Sequence, residues 1–408
     1  MYKLLPKNED FTKILIFISC VTMCVAFVSN SLLNIFFMIF GIFSLFCVQG
    51  QKYKVSTGIF FVLGMLFISG VMSNILNFSQ LGDKSKSFRA LRFYFFSPFI
   101  SLAFYRVFEF MKLNQDYRPK WLNLIFVFTS VASLSGLIGL LTGFNILRLK
   151  PINHPTRNAG MYGMYMTYAY GISLYLTLNL GLLVHFKKFR NYFDNKILVF
   201  SFFINFIGLY FSYTRGALIG FLISIPFILF KNIKSIFLSF FVVLIALSFF
   251  IFFSKSGREL FLSRERIESN LQRVSFYKGA MYGFLESPVY GLGVKNIESN
   301  MSRIKDKHNL RDRRSGHSHN IYLEILANQG VFGAFSFLLF LLFTLKMFYR
   351  SEGSESLIGI SFMVNFIVSG LFQNTFGDSE NLQFIMIVWS AFVAWFLFSK
   401  HSCSKNLL

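Results

Sequence analysis

SIFLSFFVVLIALSFFIFFS, residues 235–254, decides the fold: twenty residues without one charged side chain. A helix of that length is ~30 Å long, the thickness of a bilayer's hydrocarbon core. Outward from this stretch the pattern repeats. Of 408 residues 54% are hydrophobic and 58 are phenylalanine, with a mean hydropathy of +0.56, too apolar for a soluble globular chain. Apolar stretches fall at 12–29, 31–48, 55–77, 88–108, 121–142, 160–185, 196–213, 216–230, 235–254, 320–345, 355–374 and 383–399. The expected class is an all-α polytopic membrane protein of about twelve transmembrane helices. Residues 1–254 hold the first nine, 255–319 form one large loop, and 320–408 hold the last three and a tail. The whole is one integral membrane domain.

The first stretch follows Lys3 and Lys7 and resembles a signal peptide. A second apolar stretch follows almost at once, with no small-x-small site between them, so the expectation is an uncleaved first helix.

Basic residues orient the spans. With the N-terminus inside, nineteen Lys and Arg stand at inner ends, among them Lys3, Lys7, Lys52, Lys54, Arg118, Lys187, Lys188, Lys346 and Lys405. The short outer loops hold eight: Lys84, Lys86, Arg89, Arg92, Arg148, Lys150, Arg157 and Arg215. That bias places both termini in the cytoplasm and the 255–319 loop outside. The net charge of +22 is therefore no sign of nucleic-acid binding, because nearly half the basic residues line inner membrane edges. Of the cysteines, Cys20, Cys24 and Cys47 lie in the first two spans and Cys403 in the tail, so none reaches an outer loop to form a disulfide.

The long loop carries thirteen Lys or Arg against seven Asp or Glu. Ile267, Leu271, Val274, Met281 and Leu285 recur in it at helical spacing with Arg266, Arg273 and Lys278 between them, the pattern of an amphipathic helix on a membrane surface. ESPVYGLGVKN, 286–296, ends that helix at Pro288, Gly291 and Gly293.

Outer arginines need a reason, because a guanidinium at the hydrocarbon edge is costly. Arg89, Arg92 and Arg314 are read first as snorkelling residues, with contact to an anionic ligand as the alternative. Arg215 differs. Its turn, YTRGALIG, is short, and no Asp or Glu occurs between Asp194 and Glu259. A guanidinium there suits an anionic ligand, phosphate above all.

RSGHSHNIYLEILANQG, 314–330, sets two histidines after a run of arginines and before an apolar helix. Asn320 is a reasonable N-cap and also a candidate site residue. His317 and His319 could form part of a metal pair with His308 or with Asp378 and Glu380, or lie at the interface without a role. General-base work at His319 is the favoured reading. No phosphate-binding loop, nucleophile elbow or D-x-D motif is present. The candidate chemistry faces outward, so the donor should already be membrane-bound and activated.

At this point the residues resemble a known family. HNIYLEILANQGVFG, 319–333, places His319-Asn320, nine residues, Gly330 and then Gly333. It is similar to the signature of the O-antigen ligases and related O-antigen polymerases of Gram-negative envelopes. RNAGMYG at 157, YTRGALIG at 213 and QRVSFYKGAMYGFLESPVYGLGVKN at 272 resemble further elements of that family, in the same order. The likeness runs from about 150 to 380.

The resemblance implies an inner-membrane glycosyltransferase of lipopolysaccharide biosynthesis, with its active site in the periplasm and a large periplasmic loop. It would move a glycan from undecaprenyl pyrophosphate to a sugar hydroxyl of lipid A-core, with inversion and without ATP, metal or other cofactor. His319 would be the base, with Arg215 and Arg273 on the pyrophosphate and Arg157 as a third. Arg314, His317, Asn320, Arg89 and Tyr322 are further substrate-binding candidates, and Tyr162, Tyr165 and Tyr322 could stack on sugars. His317 departs from the pattern, which does not require a histidine there. A polymerase joining lipid-linked repeat units is the nearest alternative. A lipid-glycan transporter is the alternative of another class, and it would need charges at the membrane midplane, which is almost free of them.

Overall fold

The structure is a computed structural model, and it describes residues 9–47, 57–114, 120–310, 314–351 and 353–405. Lys3, Lys7, Lys52, Lys54 and Arg118, which the orientation uses, lie outside the described residues, as do the side chains of Lys120, Lys400, Cys403 and Lys405.

Among the described residues sixteen α-helices follow one another. α1 (Glu9–Val25), α2 (Asn30–Leu45), α3 (Thr57–Leu76), α4 (Lys84–Leu113) and α5 (Leu124–Thr142) lead to an antiparallel pairing of β1 (Phe144–Asn145) with β2 (Lys150–Pro151). α6 (Tyr165–Val184), the single turn α7 (Phe186–Phe189), α8 (Asn195–Tyr210), α9 (Arg215–Leu229) and α10 (Ile233–Phe253) follow. The long loop folds into α11 (Lys255–Leu262), α12 (Arg264–Glu286) and α13 (Ile297–Lys307). α14 (Ile321–Tyr349), α15 (Ser354–Gly370) and α16 (Ser379–Lys405) complete the chain. Among the described residues each expected apolar stretch contains a helix. Six helices are long and apolar enough to cross a membrane, and four shorter apolar helices accompany them. The chain is thus a multi-pass, all-α membrane protein.

Polar caps start several of these helices. Asp83 accepts from the Lys86 amide at 2.8 Å, Asp194 from Lys196 at 2.7 Å, and Asn320 from Tyr322 and Leu323 at 2.9 and 3.0 Å. Packing then pairs α9 with α15, α4 with α16, α3 with α14, and α6 with α8 and α9. The buried contacts are partly polar, as suits helices that gain little from burying apolar surface in lipid. Asn365 donates to Ser173 Oγ at 2.9 Å and Thr177 Oγ1 at 2.8 Å, and Ser173 Oγ donates to the Ala217 carbonyl at 2.8 Å, tying α15, α6 and α9 together. α10 has no buried residue and packs mainly on α9 and α11, so most of its apolar surface stands outside the bundle.

The helix at 267–285 is present, and it ends at Glu286, before the Pro-Gly segment, as its spacing predicts. Its stripe of Ile267, Leu271, Val274, Met281 and Leu285 is exposed, while Phe276 and Ala280 pack on α13 and α14 in a small separate core.

The Pro-Gly segment also explains the glycine eleven residues after His319. α14 breaks at Gly330, where φ is 63° and ψ −162°, and the strap Pro288–Gly293 fills the break. Leu292 and Gly293 donate to the carbonyls of Ala327 and Asn328 at 2.9 Å each. Val331 donates to Pro288 O at 2.8 Å and Phe332 to Val289 O at 3.3 Å. Only glycine fits, because a Cβ on Gly330 would lie 2.3 Å from Val289 O. Asn328 adds a second tie: its Oδ1 accepts from the Asn296 and Ile297 amides at 3.2 and 2.8 Å, at the start of α13. Loop and broken helix therefore hold each other.

Candidate active site

α6, α9 and α14 all begin at one cleft, and α12 lies across it. The cleft has a volume of about 160 Å³.

Its first wall is the 157 element. Asn158 is fully buried; it takes the Phe211 carbonyl on its amide at 2.9 Å and donates its Nδ2 to Gly208 O at 3.2 Å. This folds the RNAG turn back on α8 and directs Arg157 into the cleft, with its guanidinium 4.5 Å over the Tyr165 ring. The second wall is the turn before α9. Tyr213 takes the left-handed conformation (φ 51°), and Arg215 then opens the helix. Arg215 donates to Asn270 Oδ1 at 3.0 Å and Phe261 O at 3.4 Å, so α11 and α12 aim it. The third wall is α12 itself, where Arg266, Ser269, Arg273 and Phe276 recur on one face.

Four guanidiniums, from Arg157, Arg215, Arg266 and Arg273, thus line one small space. Among the described residues no carboxylate joins them there. The N-termini of α6 and α9 add positive dipole ends, and neither receives a side-chain cap. Such a site suits an anion of two or more charges.

His319 stands at the edge of this space with φ 52°, a strained value for a non-glycine residue. Its Nδ1 bonds Gln373 Oε1 at 2.8 Å, and Gln373 Nε2 bonds His317 Nε2 at 3.1 Å. With the amide so oriented, Nδ1 of His319 carries the proton, and Nε2 keeps its lone pair to accept one. Gln373 is buried, so the ring is held by a rigid partner. Burial first, then His317, and then the Arg273 and Lys305 cations pull the His319 pKa from 6.5 to about 3, against the bond from Gln373. The imidazole is thus held neutral, at a lower pKa than the near-neutral value its sequence context suggests.

Of the residues singled out in the sequence, the structure brings Arg157, Arg215, Arg273, His319 and Tyr165 to the cleft. His317 stands behind it, its ring 4.3 Å from His319. The others lie elsewhere. Asn320 caps α14 and donates to Leu371 O at 3.2 Å. The Tyr322 hydroxyl donates to Ile367 O at 2.8 Å, and that of Tyr162 bonds Ala26 O. Arg314 is exposed and does not line the cleft; its carbonyl accepts from Lys305. Arg89 is exposed on α4 and donates to Ser85 O, while Arg92 turns to Asn34 on α2. His308 stacks on Tyr282 at 3.8 Å, away from the histidine pair, and among the described residues no three His, Cys, Asp or Glu gather to hold a metal.

Sequence reasoning missed Arg266, Phe276 and Gln373 as site residues. Arg266 lies seven residues before Arg273, two helical turns along one face, and that spacing could have found it. Nothing local marks Gln373.

A multi-pass membrane protein with a cationic cleft and a neutral, oriented histidine is the class that fold and site define. The comparisons narrow it. Residues 200–338 match the family described as O-Antigen ligase, so the resemblance holds over a segment that contains Arg215, Arg266, Arg273, His319 and Gly330. A stretch of 130 residues is 32% identical to the Teichuronic acid biosynthesis protein TuaE of Bacillus subtilis (strain 168). That match covers 28% of this chain and 26% of the relative, so the chain spans about a quarter of the length of the curated protein it matches.

Proposed function

We propose that the protein is a lipid-linked glycan transferase of the O-antigen ligase type. It moves a glycan from undecaprenyl pyrophosphate to a sugar hydroxyl of lipid A-core, at the periplasmic face of the inner membrane. The observation that carries this reading is the meeting of four arginines with His319 in one cleft.

The step follows from the groups present. The acceptor hydroxyl attacks the anomeric carbon from the side opposite the diphosphate. His319 Nε2 takes the hydroxyl proton as the new C–O bond forms. The bond to the diphosphate oxygen breaks with its electron pair, and the charge that gathers on the leaving group is met by Arg215, Arg273, Arg266 and Arg157. Attack and departure on opposite sides give inversion. The arginines do most where charge develops, and removing one such donor typically costs about 100- to 1000-fold in rate. Gln373 keeps the base in its tautomer throughout.

A second reading is a polymerase that joins lipid-linked repeat units. It is favoured by the relative being named for the biosynthesis of teichuronic acid and not of lipopolysaccharide. Complementation separates the two. Under the ligase reading, the protein restores long-chain lipopolysaccharide to a ligase-deleted strain. Failure there, with extension of single repeats in a polymerase-deleted strain, would establish the second reading.

A further inference from the structure

Lys305 is a cation where no cation is expected. It lies on the inner face of α13 with Ile297, Met301 and Ile304, and its side chain is fully buried. Its Nζ stands 3.3 Å over the Phe276 ring and donates to the Arg314 carbonyl at 3.1 Å. Phe276 in turn meets the His319 ring at 5.5 Å and 80°, and lines the cleft beside it. Burying an ammonium in an apolar core is costly unless its contacts offset that. A desolvated cation–π contact and a charge-assisted hydrogen bond are contacts of that kind.

Both contacts lead to the same place. The Arg314 carbonyl belongs to the irregular stretch 314–319, which leads to His319 in its strained backbone. The Phe276 ring is the surface against which the imidazole stands. One side chain therefore ties down this stretch at Arg314 and supports it at His319.

We propose that Lys305 is a positioning residue for His319, fixing the histidine segment through the Arg314 carbonyl and the imidazole through Phe276. The inference rests on His319 being the base. Lys305 is also one of the charges that face His319. His317 lies on its own segment, Arg273 on α12, Lys305 on α13, and Arg215, Arg266 and Arg157 line the cleft. The carboxylates of Glu324 and Asp378 act on His317 behind it. Positive charge dominates the catalytic face, and a bound diphosphate reverses that balance where the proton must be accepted.

The test uses full-length protein in lipid nanodiscs as wild type, Lys305→Met, Lys305→Arg and Phe276→Leu. Carbethoxylation of His319 by diethyl pyrocarbonate, resolved from His317 by fragment mass spectrometry, is followed against pH without glycan. Wild type should keep reacting down to pH 5. With the profile carried down to pH 3, the fall-off in Lys305→Met should lie at higher pH than in wild type. Lys305→Arg should behave as wild type. Transfer by Lys305→Met should lose about 100-fold in kcat at unchanged donor KM, as expected for a displaced base. A wild-type pH dependence of carbethoxylation in Lys305→Met would overturn the proposal, even with kcat lowered, because a merely structural role would leave that dependence alone. If Lys305→Met does not fold, Phe276→Leu, which removes the ring between the two side chains, decides: a kcat equal to wild type there would overturn the proposal. If wild type transfers no glycan, the proposed function fails, while carbethoxylation still decides the role of Lys305.

Discussion

Gly330→Ala perturbs the point where α14 stops being a helix. The backbone there (φ 63°, ψ −162°) is in a region that only glycine visits freely, at a cost of ~1–3 kcal/mol for another residue. The added methyl would also lie 2.3 Å from Val289 O, 2.4 Å from Val289 C and 2.7 Å from Pro288 O. These are backbone atoms, so no side chain can swing aside, and the strap must lift. Lifting it gives up the bonds from Val331 to Pro288 O and from Phe332 to Val289 O, about 1 kcal/mol each. The expected loss is about 3–5 kcal/mol. Gly64→Ala is the control, because its Cβ would meet nothing within 4 Å. In mid-helix it should be neutral or stabilising by up to about 1 kcal/mol. The assay is thermal unfolding in detergent, with limited proteolysis of residues 286–296. Gly330→Ala should melt well below wild type with the strap cut readily. Melting and protection equal to wild type would refute the docking of strap on broken helix.

Other outcomes follow from the cleft. Gln373→Leu removes the acceptor for His319 Nδ1, so transfer should fall by about 100-fold or more, while Gln373→Glu, which still accepts there, should keep more activity; equal rates for the two would contradict the tautomer argument. Because burial holds the free-enzyme His319 near 3, below its ordinary 6.5, its neutral form persists as pH falls. The profile of kcat/KM should therefore show no acid limb between pH 7 and pH 5, and a limb centred near 6.5 would count against the assignment. Arg266→Gln should weaken donor binding and lower the rate of transfer by about 100-fold, read from initial rates over donor concentration. A variant with wild-type rates would remove Arg266 from the site.

The bundle was legible because each span must carry its own apolar run, and 235–254 needs no partner to be read. Arg215 and His319 were legible for a related reason: charged or titratable groups beside apolar helices have few structural uses. What escaped was whatever depends on distance between elements. Gln373 reaches His319 only after α15 returns beside α14, and Gly330 has meaning only once Pro288 and Val289 lie against it. Asn320 and Tyr322 sit next to His319 in sequence, yet a helix start turns both toward backbone carbonyls. Arg89 and Arg314 share the positive charge of the cleft residues but not their place, because charge alone does not say which way a side chain faces.

The most direct measurement is glycan transfer in proteoliposomes containing purified protein, a polyprenyl-diphosphate-linked glycan and lipid A-core, comparing wild type with His319→Ala. Donor binding is read in parallel. The account predicts that donor binding survives while transfer falls by about 100- to 10,000-fold, the range for loss of a general base. Transfer by His319→Ala at the wild-type rate would contradict it.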